Sequence, residues 1–435
     1  MSGVLPELQS LFDQHPLLQE VTWKTGESFD CTQGGLHYPI VPASHQGGRL
    51  LLFDGTHRGQ ASFQTFEEVP NALAQAQEQL AARVFAATLL PEEQEPLILT
   101  DGAPATIDAG GMLSLLEELH ENTRVEVNGN PIFTTLSESV QASYYLNKNG
   151  RTLIRHELSS RMQFEHVDAA AKSLRIDQEL FNGTVQELLR ERLPLLMNTI
   201  RPRQVRDVEF AAGRYPCLMT GDVAGFFLHE VVGHLFEADM PTGRFLRERR
   251  GRRVAPLPIT VSDAPDHLFD DEGILTKRTP MIEEGSIGSL LHSKASALQF
   301  GDPPNGHGRS YRGWHSPIPR MHHTLMEAGD ADEAALRSEF PRTVLLERAS
   351  NAVCRNGNFT LQIKRAKLLE HSVVVADLDD VIVHGSGLEA LRLIVGVGAT
   401  SHRQALSCWK NQQDGLVVSA TAPELLFQSL WIGKG

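Results

Sequence analysis

The sequence predicts an α+β protein, with an N-terminal α/β layer built on an antiparallel sheet and a β-rich C-terminal domain. Amphipathic helices alternate with short strands in the first half of the chain. From Val208 onward, short strands, glycines and histidines become frequent. The Arg201-Pro202-Arg203 segment between these two textures is typical of a linker. We therefore predict two domains, 1–204 and 205–435.

Composition is that of an ordinary globular chain and argues against several classes of function. The 435 residues are 41% hydrophobic and carry a formal net charge of −14, whereas duplex binding requires a basic face. The four cysteines form no CxxC pair, which favours reduced thiols. The N-terminus lacks a signal-peptide pattern, and no apolar run approaches the ~18 residues of a membrane span. We expect a cytoplasmic protein that binds neither nucleic acid nor membranes.

Helices in the N-terminal half follow from apolar positions three or four residues apart. An apolar strand, Arg49–Phe53, precedes an Asp-Gly turn, and a meander of further strands begins at Arg124–Val127 and ends at Ser160–His166. Alternating strands of this kind fit an antiparallel sheet with one face covered by helices. The His and Asp residues here form no constellation, so this half is assigned a scaffolding role. The predicted helices are Val4–Leu18, Phe66–Leu89, Gly110–Glu121 and Phe181–Asn198.

Strands dominate the predicted C-terminal half. The acidic segment Asp377–Asp380 is interpreted as a turn between two of these strands. Gly301–Arg320 is rich in glycine and proline, and a long loop of this kind inside a domain indicates function. The predicted strands are Ile259–Asp263, Thr279–Glu283, Ile287–Leu291, Phe359–Leu369, Ser372–Val375 and Val381–His384, and the predicted helix after them is Leu388–Val395.

The stretch Gly225–Asp239 carries the strongest chemical signal. It is apolar as it begins and then places His229, Glu230 and His234 within six residues. Two neutral imidazoles with a carboxylate between them are typical of a hydrolytic zinc site. The histidines would hold the metal, and the glutamate would take a proton from a water that the metal acidifies.

The spacing of the two histidines requires a distorted helix. The usual pair lies four residues apart on one helical face, whereas His229 and His234 are five apart. At ~100° per residue, a regular α-helix would separate the two rings by roughly 140°. An i→i+5 π-bulge would bring them together, and Gly233 makes such a distortion locally easy. We predict a helix that widens or breaks near Gly233.

A purely structural interpretation of the same stretch stays open. The chain contains 18 histidines, so a pair five residues apart is expected by chance. Ala224–Phe236 would then be a buried helix with a few satisfied polar groups. Glu237 and Asp239 could orient a histidine ring or simply lie at a solvated helix end.

Other candidates lie further along the chain. Cys408 is either an inert buried thiol or a thiolate that completes a His₂Cys zinc site with an open fourth position. His292 is a further candidate for a position behind the metal ligands. In the Gly/Pro-rich loop, His307 is a possible ligand, and Arg309 is a candidate clamp for a peptide carboxylate or backbone.

Several blocks of the sequence resemble the TldD/PmbA family of zinc metallopeptidases. His229-Glu230-x-x-x-His234, followed by Leu235-Phe236-Glu237-Ala238-Asp239, is similar to the signature helix of that family. Five further blocks resemble the family's in the same order, and the resemblance covers Tyr215 to about Val418. These blocks are Phe269–Gly273, Leu291–Lys294, Gly306–Arg309, Pro319–Thr324 and Ile382–Glu389.

The resemblance implies a site and an architecture. It places the zinc ligands on His229, His234 and Cys408 and the catalytic base on Glu230. It implies an N-terminal α/β layer and a β-rich C-terminal domain that carries the metal-site helix. It also implies a homodimer, or a heterodimer with a PmbA/TldE-like paralogue, around an enclosed cavity for extended peptides. The N-terminal domain would then provide the peptide channel and dimer contacts.

We therefore expect a zinc-dependent metallopeptidase of the active TldD-like branch that hydrolyses unfolded or short peptides. His307 and Arg309 are the candidate substrate-binding residues. The candidates for contacting and orienting the metal ligands are Glu237, Asp239 and His292. The alternative is a catalytically silent, metal-retaining partner or peptide-binding subunit of a TldD/PmbA-type complex. A structural site would be closed by a fourth protein ligand, whereas a catalytic site keeps one position open.

Overall fold

The computed structural model describes residues 3–33, 41–83, 85–86, 95–126, 132–168, 173–200 and 210–434 of the chain. Its architecture is α+β, with two large sheets, and this confirms the predicted fold class. The first sheet is built from residues up to Phe181 and the second from residues after Gly213. The predicted linker and the 204/205 boundary lie outside the described residues.

An eight-stranded sheet forms the N-terminal layer, with β4-β3-β2-β1-β6-β7-β5 in order and β8 beside β7. The described neighbours pair antiparallel except β5 and β7, which run parallel. Trp23 lies opposite Gly48 on one neighbouring strand and Tyr144 on the other, and its buried ring stacks on Phe63 and Phe66. The strands are β1 Leu18–Gln33, β2 Val41–Phe53, β3 His57–Phe63, β4 Phe85–Ala86, β5 Leu97–Asp101, β6 Ile132–Asn147, β7 Arg151–Asp168 and β8 Ser173–Phe181.

Within the described ranges, four α-helices accompany this sheet. The predicted helix Phe66–Leu89 opens with a 3₁₀ turn, Phe66–Glu68, and continues as α2, but its predicted length is wrong, because the helix ends at Ala81 and Phe85–Ala86 pairs with β3 as a strand. Gly59 allows α2 to approach β3, because a Cβ there would collide with the carbonyl oxygen of Ala76. The helices are α1 Val4–Gln14, α2 Val69–Ala81, α3 Ala109–Glu126 and α4 Val185–Ile200.

The predicted strand at Arg124–Val127 is wrong over its described residues. The helix α3 continues to Glu126 instead. Leu119 and Thr123 lie four residues apart on its buried face, and the Thr123 hydroxyl donates to the Leu119 carbonyl at 2.6 Å. The buried face therefore extends to the last turn, and tertiary packing outweighs the short strand-like pattern.

The second sheet has ten strands, in the order β12-β11-β10-β15-β20-β18-β17-β16-β9, with β19 beside β20. The long strand β20 pairs with both β18 and β9, which closes β9, β16, β17, β18 and β20 into a barrel. A further two-stranded ribbon, β13 with β14, lies outside it. The strands are β9 Gly213–Met219, β10 Val261–Asp263, β11 Thr279–Glu283, β12 Ser286–Ile287, β13 Gly308–Arg309, β14 Ile318–Pro319, β15 His323–Met326, β16 Arg342–Arg355, β17 Asn358–Glu370, β18 Val373–Ser386, β19 Ile394–Lys410 and β20 Gln413–Lys434.

The predicted turn at Asp377–Asp380 is also wrong, because β18 runs through it without a break. The register places Asp377 opposite Lys367 on β17. Opposite charges at facing positions favour pairing and allow an acidic segment to stay extended. The helices of this half are short and lie outside the sheet: α5 Gly221–Phe227, α6 His234–Phe236, α7 Gly243–Arg247, α8 Lys294–Phe300, α9 Glu333–Ser338 and α10 Gly387–Arg392.

A buried ion cluster joins the two layers. Lys24 of β1 and Arg155 of β7 both contact the carboxylate of Asp271, at 2.7 Å and 2.6 Å. Burial raises the pKa of Asp271, but the two cations outweigh burial and hold this pKa well below its usual range. The N-terminal sheet is therefore fixed against the C-terminal half by charged groups that have lost their water. None of the described helices is long and apolar enough to cross a bilayer.

Candidate metal centre

A π-helical segment, Leu228–Gly233, follows α5 directly and precedes α6. The backbone N–H of His234 donates to the carbonyl of His229, five residues earlier, which is the π-helical bond. The two imidazole rings consequently lie next to each other in an edge-to-face arrangement, with centroids 4.9 Å apart. The predicted widening of the helix is confirmed.

Gly233 is required for a different reason from the one that the sequence indicates. Its φ of −52° and ψ of −62° are ordinary helical values, so backbone freedom is not the cause. A Cβ at this position would instead collide with Sδ of Met321, which is fully buried. The glycine thus lets the π segment pack directly against Met321.

Gly233→Ala should reduce stability by about 1–3 kcal/mol through overpacking, and metal content should fall with it because both histidines flank the collision. Urea unfolding and metal analysis measure the two effects. Gly110→Ala is the matched control, because a Cβ there meets only an ordinary contact, 3.7 Å from Asp108 Oδ1. An equally stable Gly233→Ala variant would contradict this packing argument.

Three potential ligand groups meet beside the π segment. One ligand atom each of His229, His234 and Cys408 lies within 4.8 Å of the others, and all three residues are buried. Cys408 Sγ is 3.5 Å from His234 Nε2. Cys408 lies near the end of β19, at a shift in register between Cys408 and Trp409. Such irregularities re-aim side chains near functional sites.

Two charged residues support this cluster: Glu237 contacts His234, and Lys410 contacts Glu237. Glu237 Oε2 lies 2.8 Å from Nδ1 of His234, and a carboxylate accepts, so Nδ1 carries the proton and Nε2 faces Cys408. Lys410 lies 3.0 Å from the same Oε2 and 2.6 Å from Asp239 Oδ1. Lys410 is two residues after Cys408 on β19, so one strand supplies both the thiol and the cation.

The charges around the cluster favour the thiolate form of Cys408. Burial raises the pKa of Cys408, but His234, His229 and Arg320 outweigh it and lower this pKa well below the usual range of a thiol. Burial lowers the pKa of His234, yet Glu237 and Cys408 raise it well above its ordinary value. The thiolate is the form that binds metals, and the negative groups that attract a proton to His234 also attract a cation.

Glu230 directly follows His229 in the π segment and is 9% exposed. Glu230 and His234 line one end of a cleft of about 1030 Å³ between β8, β16, β17 and β19. Trp409, 67% exposed, lines this cleft and also a second cleft on the other side of β19. Glu230 and one residue of the His-His-Cys cluster therefore both border a space large enough for a peptide segment.

The other predicted site residues lie apart from this cluster. His292 is buried against Phe300, with Nδ1 3.2 Å from Ser296 Oγ. His307 Nε2 lies 3.1 Å from Asp263 Oδ1, and His307 is fully buried. These contacts give both rings internal partners.

Arg309 is likewise enclosed. It is 2% exposed, and its Nη1 donates to the Met321 carbonyl at 2.6 Å. None of His292, His307 and Arg309 lines the cleft that contains Glu230. Their predicted roles remain untested, and the structure gives each of them a packing partner instead of access to the cleft.

Two residues at the cluster escape sequence reasoning. Arg320 is fully buried and donates to the Cys408 carbonyl at 2.9 Å, which fixes the strand that carries the thiol. Lys410 is the second. Its position two residues after Cys408 was the available signal, because residues i and i+2 of a strand share a face.

The residues present fit a divalent metal of the zinc type. Two imidazoles and a thiolate are a donor set that zinc prefers. His229 Nδ1 is buried and finds no hydrogen-bond partner in the part of the chain that the structure describes. Across the same described ranges, no fourth His, Cys, Asp or Glu joins the three. The described residues would therefore supply three protein ligands to such a metal.

Fold and cluster together define a two-layer α+β protein with a buried His-His-Cys cluster at the end of a cleft. A family model described as the PmbA/TldA metallopeptidase C-terminal domain matches residues 212–434. The chain belongs to this PmbA/TldD family of metallopeptidases.

Individual relatives are distant. A metalloprotease of Methanothermobacter thermautotrophicus is 24% identical over 360 residues, which cover 79% of this chain and 78% of the relative. The zinc metalloprotease TldD homolog of Saccharolobus solfataricus is 28% identical over 233 residues, about half of each chain (51% and 52%). The solved structure of TldE from Thermococcus kodakarensis has a TM-score of 0.73 at 16% identity and covers 99% of this chain and 100% of its own, which shows a shared fold.

Proposed function

We propose that this protein is a zinc-dependent peptidase that hydrolyses unfolded or short peptides. The observation that carries the proposal is the His229, His234 and Cys408 cluster, with three protein ligands and Glu230 beside it at the end of a cleft. Three protein ligands with one open position are the pattern of catalytic zinc, whereas structural zinc is closed by four. The name of the Saccharolobus relative supports zinc as the metal.

Each residue has a defined part in the proposed reaction. His229, His234 and Cys408 would hold the zinc, which would supply Lewis acidity towards a water molecule and the scissile carbonyl. Glu230 accepts a proton from the attacking water on its carboxylate and returns it to the leaving amine. Glu237 keeps the proton of His234 on Nδ1 and so orients the ring.

The cleft is suited to an extended peptide. Among the described strands, β19 pairs only with β20, so its other edge, at Gln404–Ser407, faces the cleft with unpaired backbone groups. A peptide can add to such an edge through backbone hydrogen bonds and needs to be unfolded to do so. Trp409 offers a large apolar contact at the same place.

The family resemblance also motivates a proposed assembly. We expect a cytoplasmic homodimer, or a heterodimer with a PmbA/TldE-like paralogue, that encloses the cleft. Light scattering of the purified chain alone and with such a paralogue distinguishes these two assemblies by mass.

Metal content and peptide cleavage test the function together. Purified wild type should carry about one zinc per chain and cleave a labelled unstructured peptide. Cys408→Ala should lose both properties because it removes the thiolate. Cys354→Ala is the matched control, since Cys354 is a half-buried thiol of the same cleft outside the cluster, and it should retain both.

Two outcomes would contradict the proposal. Zinc and cleavage that survive Cys408→Ala would mean that another residue completes the site. A wild type that retains zinc but cleaves no peptide in any assembly would support the alternative of a silent, metal-retaining subunit.

A further inference from the structure

Two basic side chains in the cleft lack an ion-pair or hydrogen-bond partner among the described residues. Arg355 ends β16, and Lys364 lies in the middle of β17, and both line the cleft that contains Glu230. Neither side chain forms an ion pair or hydrogen bond within the portion of the molecule that the structure describes. The chain as a whole carries a net charge of −14, so unpaired cations at this place are against its general trend.

The other charges of the cleft wall are already compensated. Arg348 contacts the carboxylates of Glu179 and Asp222. Lys410 is held by Glu237 and Asp239. The remaining anion, Glu230, belongs to the proposed catalytic group. The charged residues that line the cleft are Arg348, Arg355, Lys364, Lys410, Glu179 and Glu230.

Local geometry places Arg355 near the metal cluster and Lys364 away from it. The hairpin tip that follows Arg355 contains Gly357, where a Cβ would lie 3.8 Å from Leu235, the residue after His234. Arg355 is opposite Asn358, and Lys364 is six residues further along β17. At ~3.3 Å per residue, the two cations are roughly 20 Å apart along the strand. One carboxylate cannot contact both.

The alternation of buried and accessible residues along β17 places Lys364 on the face away from the core. On β17, Phe359, Leu361 and Ile363 are buried, so Gln362 and Lys364 share the opposite face, which borders the cleft. Apart from these cations, the neighbouring residues of this wall are neutral, among them Val353 and Asn351, which lies directly opposite Gln362. A ligand in the cleft therefore meets two separate positive positions on a neutral background.

We propose that Arg355 and Lys364 form two carboxylate-binding positions that select peptides with several acidic side chains. This inference rests on the proposed peptidase function and specifies its substrate class. An acidic residue of an extended peptide near the cleaved bond would pair with Arg355, and a second one, further along, would pair with Lys364. The unpaired cations would also steer such peptides towards the cleft.

The test is a binding measurement that does not depend on catalysis. Two labelled unstructured peptides that differ only in having Asp or Asn at the same positions are titrated against full-length, metal-loaded Glu230→Gln protein, with fluorescence anisotropy as the readout. The Asp peptide should bind more tightly, and the difference should shrink at high salt. Arg355→Gln and Lys364→Gln should each reduce the preference by about two- to fivefold, the range of exposed ion pairs.

A matched control isolates the position of the charge. Arg392 is an exposed cation of α10 that does not line the cleft, so Arg392→Gln should leave the preference unchanged. Equal affinities for the two peptides, or no binding of either, would overturn the proposal. Competition by a short single-stranded DNA as strong as that of the Asp peptide would assign the cations to nucleic acid instead. If the wild type cleaves both peptides at equal rates, the proposed preference for acidic peptides is wrong, whereas the proposed peptidase function is supported.

Discussion

Glu230→Gln should lower the rate of peptide hydrolysis by about 10²- to 10⁴-fold, the usual contribution of a general acid–base. Glutamine keeps the shape of the side chain but cannot accept and return the proton. The metal should stay bound, because the three groups of the cluster are His229, His234 and Cys408. The expected result is a nearly inactive protein with unchanged zinc content.

The kinetic pattern separates a chemical role from a structural one. If Glu230 acts in proton transfer, kcat falls and KM changes little. Glu230→Asp should recover part of the activity, because it restores a carboxylate at a slightly retracted position. Glu248→Gln, at an exposed glutamate of the same domain, is the control and should behave as wild type. A fully active Glu230→Gln protein with normal zinc would remove this residue from the mechanism.

The π segment shows what sequence reasoning can predict about such a site. Two histidines five residues apart cannot share a face of a regular helix, so a metal held by both predicted the widening that the structure contains. The cause at Gly233 could not be predicted in the same way. It depends on Met321, a residue distant in the chain that packs against Gly233 in the folded structure.

The wrongly predicted turn at Asp377–Asp380 shows a second limit of prediction from sequence. Acidic residues at Asp377–Asp380 predict a turn by composition, but the register with β17 supplies a cation opposite Asp377. Single-segment patterns do not contain that partner. The same limitation affects His307 and Arg309, which were predicted to serve an exposed functional loop. Asp263 and the Met321 carbonyl accept their hydrogen bonds, so burial becomes possible for polar groups in a segment rich in glycine and proline.

The contact between Lys410 and the acidic residues after His234 could not be predicted from sequence for a similar reason. Lys410 and Asp239 are 171 residues apart in the chain and meet because β19 lies against the segment after α6. Sequence proximity did suggest Glu237 and Asp239, which follow His234 closely. The cation that makes their burial tolerable comes from the strand of Cys408.

Lys410→Met should therefore be among the most destabilising single changes in the chain. Methionine retains much of the volume but removes the charge that compensates Glu237, which is fully buried. Burial raises the pKa of Glu237, yet Lys410 and His234 lower it to about 2, so this carboxylate is held ionised by its neighbours. Breaking a buried pair in this way costs about 3–5 kcal/mol, since one charge is left without compensation. Urea unfolding measures the loss.

A second ion pair of the same chemistry provides the control. Lys367 and Glu347 are 2.6 Å apart but partly exposed, with 26% and 22% of their side chains accessible. Exposed pairs contribute about 0.2–1 kcal/mol, so Lys367→Met should cost several-fold less than Lys410→Met. If the two variants lose the same stability, burial of Glu237 is not what makes Lys410 important. If Lys410→Met alone also loses zinc, the same lysine both stabilises the fold and keeps His234 oriented, because the carboxylate that it holds is the one that positions the ring.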